Sequence, residues 1–144
     1  MPRHPKKPRR LIADGHAYLW TLRHSHGVLD SGRSADCRET LTLYPQSAGT
    51  GGALRIVFAE GPGRYVGGFS MGSGDVGYVR GGSLNLHEPG AVRALLDAAL
   101  ARGWQPGERR AVEVDGWPLL EAAAASSRGA RDWSDSVETG HGLG

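Results

Sequence analysis

The segment from Leu84 to Pro106 constrains the fold more than any other part of this 144-residue chain. Pro89 suits the first turn of a helix, and Gly103 suits the left-handed residue that follows the last turn. Between them, the apolar residues recur at the i, i+3, i+4, i+7 and i+8 spacing of one helical face; they are Val92, Leu95, Leu96, Ala99 and Leu100. The sequence therefore predicts one amphipathic helix from Pro89 to Arg102, which buries a single apolar stripe against another layer.

Alternating patterns in the N-terminal half predict β-strands. Asp14 and Gly15 form a two-residue turn signal between two stretches rich in apolar residues, which indicates a β-hairpin. Residues 38–44 alternate with a period of two, and residues 54–58 repeat this alternation, as is typical of half-buried strands. Residues 28–36 show no period and are expected to form a loop.

The segments on either side of the main helix have shorter patterns. Glycine is dense over residues 61–82, which fits irregular strands and an exposed loop equally well because glycine permits sharp bends. Residues 111–114 predict a short strand, residues 115–116 a turn, and residues 118–126 an alanine-rich helix. The whole pattern predicts an α+β fold, in which an antiparallel β-sheet of about five to seven strands packs against one main helix and a short C-terminal helix follows.

The two ends of the chain differ from its middle. Residues 1–10 place prolines among five cations, which favours a basic, proline-rich flexible arm. From residue 127 onward the apolar period is lost and glycine recurs, so we expect a flexible C-terminal tail over residues 127–144. The length suits one compact domain, which we assign to residues 11–126.

The arm carries the excess positive charge. Five of the 17 basic side chains lie in it, so the rest of the chain has fewer basic groups than its 15 acidic ones. Affinity for nucleic acid rises with the number of phosphates that a protein neutralises. We therefore expect at most weak, nonspecific nucleic-acid contact, made through residues 1–10.

Cys37 is the single cysteine, which excludes an internal disulfide and a cysteine-rich zinc module. A chain without disulfides is consistent with a reducing compartment, and we expect a cytoplasmic protein. No apolar run approaches the roughly 20 residues that a membrane span needs, so no membrane association is expected. Cys37 would be a nucleophile only with a histidine such as His87 beside it, and a partly buried thiol at a strand start is the commoner role of a lone cysteine.

Gly72, Gly74 and Gly77 spell a GxGxxG pattern. A dinucleotide site requires a helix that begins at this loop, so that backbone N–H groups bind the pyrophosphate. No helical stripe follows Gly77, and we interpret the pattern as a structural loop. No cofactor is predicted.

His24 and His26 form an HxH pair, which on a strand projects both imidazoles to one face where they could share a metal ion. A zinc site needs three or four protein ligands, whereas the local sequence supplies two. Other residues of suitable type occur, but nothing in their spacing selects them; they are Asp30, Asp36, Cys37 and His87. We therefore expect no bound metal.

Tyr18 and Trp20 share their strand parity with this histidine pair. Tyr18, Trp20, His24 and His26 are thus the candidate binding face, and no catalytic residue is predicted. Because Leu22 continues the same parity, burial in the core is the favoured interpretation of the two aromatic rings.

The segment from 84 to 106 also carries a resemblance. It begins Leu-Asn-Leu-His-Glu-Pro at residues 84–89 and ends Arg-Gly-Trp-Gln-Pro at residues 102–106. It resembles a pattern in small uncharacterised bacterial proteins, in which a strand-rich N-terminal half precedes a helix that ends in Gly-Trp-x-Pro. The abundance of Ala, Gly and Arg with almost no Lys is similar to actinobacterial proteins. The resemblance implies an architecture and no particular reaction.

Three functions remain open. The first, which we favour, is a non-catalytic protein-interaction or accessory module, immunity-like, whose sheet face or strand edge binds another protein. The second is a small metal-dependent enzyme that uses His24 and His26. The third is a nucleic-acid-associated protein that acts through the basic arm. A third metal ligand beside the histidine pair would favour the second function, and a basic surface contiguous with the arm would favour the third.

Overall fold

A computed structural model describes residues 8–28, 34–46, 52–66 and 74–125. Within them the chain forms two β-sheets and two helices. The elements are β1 (Arg9–Ala13), β2 (His16–Val28), β3 (Ser34–Pro45), β4 (Leu54–Ala59), β5 (Arg64–Val66), β6 (Asp75–Tyr78), β7 (Ser83–Asn85), α1 (Pro89–Ala101), β8 (Val112–Asp115) and α2 (116–125).

The larger sheet has five strands in the order β1-β2-β3-β4-β8. β1 to β4 form an antiparallel meander, as the alternating patterns predict. β8 instead pairs in parallel with β4, with Val112 opposite Leu54. The expectation of a purely antiparallel sheet was therefore wrong. The chain passes through the smaller sheet and α1 before it returns, and such a crossover lets β8 run in the same direction as β4.

The predicted hairpin joins β1 to β2. Asp14 and Gly15 have φ angles of 51° and 81°, as the two central residues of a type I′ turn require. Ala13 lies opposite His16, which closes the hairpin directly at the turn. β1 begins at Arg9, so the last two residues of the predicted arm belong to the sheet, and residues 1–7 lie outside the described chain.

β3 begins at an earlier residue than the alternating pattern of residues 38–44 indicated. Its first residue is Ser34, so residues 34–36, which were expected in a loop, extend the pairing with β2. The register shifts between Ser25 and Gly27, and this bulge breaks the simple alternation there.

The glycine-rich region contains a second sheet, in the order β5-β6-β7. Gly77 lies opposite Ser83, and a Cβ atom at Gly77 would lie 2.6 Å from the Ser83 Cβ. Glycine is therefore needed for these strands to approach so closely. The eight strands exceed the predicted number because this sheet was not separable by pattern from an exposed loop.

α1 confirms the predicted amphipathic helix. Its buried residues are Ala91, Val92, Leu95, Leu96 and Ala99, while Leu100 is half-buried. Gly103 has φ +106°. The Gly103 N–H donates to the Leu100 carbonyl and the Trp104 N–H donates to the Ala99 carbonyl, which is the hydrogen-bond pattern of a Schellman cap.

α2 packs on the same core as α1. The sheet is therefore covered by two helices, whereas one main helix was expected to cover it. It begins directly after β8, where Asp115 Oδ1 accepts a hydrogen bond from the Trp117 N–H and caps the first turn. The turn predicted at residues 115–116 is absent because this cap joins strand to helix. Trp117 Nε1 donates to the Ala59 carbonyl at 2.9 Å, which ties α2 to β4.

The core lies on one side of the larger sheet, which we call the inner face. Trp20, Leu43 and Leu54 align across three strands, and Leu22, Leu41 and Ile56 align in the next row. The helices and the smaller sheet cover this face with their own buried side chains; these are Val66, Val76, Leu86, Val92, Leu95, Leu96, Ala99, Trp117, Leu119, Leu120 and Ala123.

We expect Leu96→Asp to abolish cooperative folding. Leu96 is fully buried, and an unpaired carboxylate at this interface would cost several kcal/mol, a large part of a total stability of about 5–15 kcal/mol. Circular dichroism and thermal melting measure the loss. The matched control is Gly90→Asp, which introduces the same carboxylate at an exposed position of the first turn of α1, where the helix dipole favours it. An unchanged melting curve for Leu96→Asp would contradict the placement of α1.

Candidate functional site

The candidate residues Tyr18 and Trp20 lie in the core. Their exposed fractions are 4% and 2%, as the core interpretation predicts. The Tyr18 ring packs 6.3 Å from the ring of Trp104, which folds back after the helix cap, and burial raises the pKa of the Tyr18 phenol. In this structure neither ring forms part of an exposed surface.

Arg9 closes the edge of this core. Its guanidinium lies 4.7 Å from the centre of the Trp20 ring, and its Nη1 donates to the His87 carbonyl at 2.8 Å. These contacts connect β1 to the segment that precedes α1. Arg9 is thus a structural residue of the sheet, unlike the solvated cation expected in a flexible arm.

His24 continues the inner face beyond Leu22 and meets Glu39 there. His24 Nδ1 lies 2.6 Å from Glu39 Oε1, and Glu39 is 1% exposed. This distance is that of a hydrogen bond between the imidazole and the carboxyl group. The sequence reasoning assigned Glu39 to the half-buried strand and missed its partner, because the pairing of His24 with Glu39 depends on the β2–β3 register.

The alternative of a metal site at His24 and His26 falls partly outside the described residues. The side chain of His26 lies outside the described part of the chain, so the HxH pair cannot be compared as a unit. Among the residues that are described, no group of three or more His, Cys, Asp and Glu side chains could hold a metal ion. The absence of bound metal stays a prediction.

The remaining motif residues occupy structural positions. Cys37 is half-buried against the core, and its backbone N–H donates to Glu60 Oε1 at 3.0 Å. The His87 N–H donates to Asn85 Oδ1 just before α1. Gly72 lies outside the described residues, whereas Gly77 belongs to β6 and the described chain after it continues into β7 without a helix at that point.

The opposite side of the sheet, which we call the outer face, has the composition of a binding surface. Four exposed arginines lie on this outer face, and we call the surface that they form the arginine face. They are Arg10, Arg23, Arg38 and Arg55. None of the outward-facing side chains described in β1 to β4 is acidic. The helices and the smaller sheet bury their apolar residues on the inner side, so no described element packs over these arginines.

The arginine face is ordered by the strand register. Arg23 lies opposite Thr40, and Arg38 is the diagonal neighbour on β3, roughly 7–8 Å away between Cα atoms. None of the four arginines forms an ion pair within the described chain. Because like charges at this spacing repel each other, an acidic partner would be bound favourably here.

Acidic and apolar side chains border the arginine face. Glu113 and Asp115 lie on β8 at one edge, with Glu113 directly opposite Arg55. Ile12 and Tyr44, which are 54% and 43% exposed, lie on the outer side of β1 and β3. The surface thus combines segregated cations with exposed apolar area on rigid strands.

The alternation of residues 38–44 already held the signal for this face. It places Arg38 and Thr40 opposite in orientation to Leu41, so these polar residues could have been assigned to the solvent side. The common surface of Arg10, Arg23 and Arg55 depends on the pairing of separate strands, which no local pattern records.

No family model, curated protein or solved structure matches this chain. In the part of the chain that the structure describes, no helix is long and apolar enough to cross a membrane.

We expect Glu39→Ala to destabilise the fold by about 1–3 kcal/mol, because the largely buried His24 imidazole loses this hydrogen bond. Urea unfolding measures the change. The control is Glu113→Ala, which removes an exposed carboxylate and should shift stability by no more than about 0.5 kcal/mol. Replacing His24 and Glu39 together by leucine should recover much of the loss. A Glu39→Ala protein as stable as the control would contradict this role for the pair.

Proposed function

We propose that this protein is a non-catalytic binding protein, an accessory or immunity-like module, whose arginine face binds an acidic surface on a partner protein. The observation that carries the proposal is the segregation of charge: four exposed arginines lie on four adjacent strands whose described outward-facing side chains include no acid, while Glu113 and Asp115 are confined to β8 at the edge. A partner that supplies carboxylates would satisfy these guanidinium groups with paired, charge-assisted hydrogen bonds.

The other residues of this surface support a protein partner. Arginine and tyrosine are enriched at protein interfaces and often dominate their energetics, and Tyr44 lies on the same face as the arginines. Because hydrogen-bonded strands hold the backbone, little conformational entropy would be lost on binding.

A nucleic-acid partner is the second candidate, and a specific observation favours it. β1 begins at Arg9, so the basic residues of the N-terminal segment lead directly into the arginine face at Arg10. Single-stranded nucleic acid binds to surfaces that combine cations with several stacking aromatic rings. Tyr44 is the one aromatic ring on the described outer face, and this composition favours the protein partner.

No comparable observation supports the hypothesis of a metal-dependent enzyme. His24 directs Nδ1 to the buried Glu39, an arrangement that serves the packing of the inner face. We therefore do not carry that alternative further.

We expect the pair of substitutions Arg23→Glu and Arg38→Glu to weaken partner binding at least tenfold, which corresponds to about 1.4 kcal/mol. Candidate partners captured by the wild-type protein are first purified, and calorimetry then measures the affinity of each for the two proteins. The control carries Arg109→Glu and Arg110→Glu, which change the net charge equally at exposed positions before β8. Equal affinities for the wild type and the Arg23/Arg38 variant, or an equal loss in the control, would refute the proposal.

We expect deletion of residues 2–7 to leave the affinity for an acidic partner protein within a few-fold of that of the full chain, because Arg10, Arg23 and Arg38 remain in place. The same deletion should abolish any binding of single-stranded DNA, which would rest on few phosphate contacts and fall steeply with salt. Fluorescence anisotropy with a labelled oligonucleotide measures the second effect. Tight, deletion-resistant DNA binding that the Arg23/Arg38 variant loses would instead make nucleic acid the partner.

A further inference from the structure

A second charged site lies on the other side of the molecule, in a cleft between the smaller sheet and α2. The cleft has a volume of about 900 Å³, within the range of roughly 300–1,000 Å³ that is usual for small-molecule sites. Arg64, Tyr78 and Arg80 line one side, and Leu120 and Glu121 of α2 line the other.

Aromatic rings hold Arg64 at the wall of this cleft. Its guanidinium carbon lies 5.2 Å from the centre of the Trp117 ring and 5.8 Å from that of Tyr78, distances at which a cation is attracted to a ring. Trp117 in turn packs edge-on against Phe58 of the inner face, with ring centres 5.3 Å apart. The cleft therefore belongs to the inner side of the larger sheet, away from the arginine face.

The charge of Arg64 is not neutralised within the described chain. No carboxylate of a described residue forms an ion pair with Arg64 or with Arg80. A guanidinium presents a planar set of N–H donors that matches a carboxylate or a phosphate. Two such groups on one cleft provide the recognition chemistry for an oxyanion.

Glu121 gives the cleft an acceptor as well. The Tyr78 hydroxyl donates to Glu121 Oε2 at 3.1 Å. Burial raises the pKa of the Tyr78 phenol and its hydrogen bond to Glu121 raises it further, so the phenol remains a donor. The Glu121 carboxylate retains lone pairs for hydroxyl or amino donors of a ligand.

Backbone hydrogen bonds keep the turn beside Arg80 in place. The Tyr78 N–H donates to the Gly82 carbonyl, which closes the turn, and the Val79 N–H donates to the Gly63 carbonyl at 2.8 Å. Gly63 has φ +72°, which favours glycine there. The wall that carries Arg64 and Arg80 is thus linked across two turns and preorganised for a ligand.

We propose that this cleft binds a small polar metabolite in which an oxyanion, phosphate or carboxylate, lies next to hydroxyl or amino groups. Arg64 and Arg80 bind the oxyanion, and Glu121 accepts hydrogen bonds from the neighbouring donors. The two positive charges exceed the single negative charge of Glu121, so the cleft favours an anionic ligand. Glu121 repels an anion that brings no hydrogen-bond donor, so a ligand that also carries hydroxyl or amino groups is bound better. This site is independent of the arginine face.

The test is a titration of the isotope-labelled full chain, followed by NMR, with four probes. Ribose 5-phosphate and gluconate carry an oxyanion with hydroxyl groups, inorganic phosphate carries the anion alone, and ribose carries the hydroxyl groups alone. We expect saturable shifts of the amides around Arg64, Arg80 and Glu121 with ribose 5-phosphate or gluconate. Comparison of these two probes identifies the oxyanion, and both should bind more tightly than phosphate or ribose.

Three variants locate the site. Arg64→Gln should weaken binding at least tenfold, and Glu121→Gln should reduce the preference for ribose 5-phosphate or gluconate over inorganic phosphate. The control, Arg102→Gln, removes an exposed cation outside the cleft and should bind as the wild type does. The proposal is overturned by the absence of saturable binding of both oxyanion probes, by an Arg64→Gln protein with unchanged affinity while its spectrum shows the native fold, or by equal binding of inorganic phosphate in the wild type and Glu121→Gln.

Discussion

Burial of the inner face of the larger sheet is the constraint on which the rest of this structure depends. The buried apolar residues of β2, β3 and β4 point to that face, and α1, α2 and the smaller sheet cover it. A sheet of this kind is stable only when one face is removed from water, because the burial of apolar area is the main source of folding free energy. Since all the described covering elements lie on one side, the other side carries the exposed arginines together with Ile12 and Tyr44. The surface that we propose for binding thus follows from how the core is built.

The same arrangement separates two kinds of recognition chemistry. On the outer face, Arg23 and Arg38 are spread over flat strands and suit a large acidic surface. In the cleft, Arg64 lies against aromatic rings and faces a carboxylate, which suits a small molecule with both an anion and hydrogen-bond donors. The larger sheet and its inner-face core lie between the two surfaces.

The buried pair of His24 and Glu39 shows why histidines were a poor guide to function here. The HxH spacing indicated a metal site, yet the register of β2 against β3 places His24 next to a carboxylate on the inner face. A hydrogen-bonded pair at the end of an apolar face forms only when His24 and Glu39 are aligned, so the pair disfavours a slipped register of the two strands. For the described residues, the chemistry with the clearest geometry belongs to arginines, none of which the sequence analysis had singled out as a candidate.

Local patterns in the sequence determined the elements with strong, short-range physics. The stripe from Val92 to Leu100, the Gly103 cap and the Asp14–Gly15 turn depend on residues a few positions apart, and each is present as predicted. Tertiary structure alone decided the parallel pairing of β8 with β4, the separate sheet in the glycine-rich region and the packing of α2 on the shared core. It also decided that Arg10, Arg23, Arg38 and Arg55 share one face. The physical reason is that strands distant in the sequence pair in the way that buries one face of the sheet. Every element contributes apolar area to this burial, so no single segment of the chain encodes the pairing.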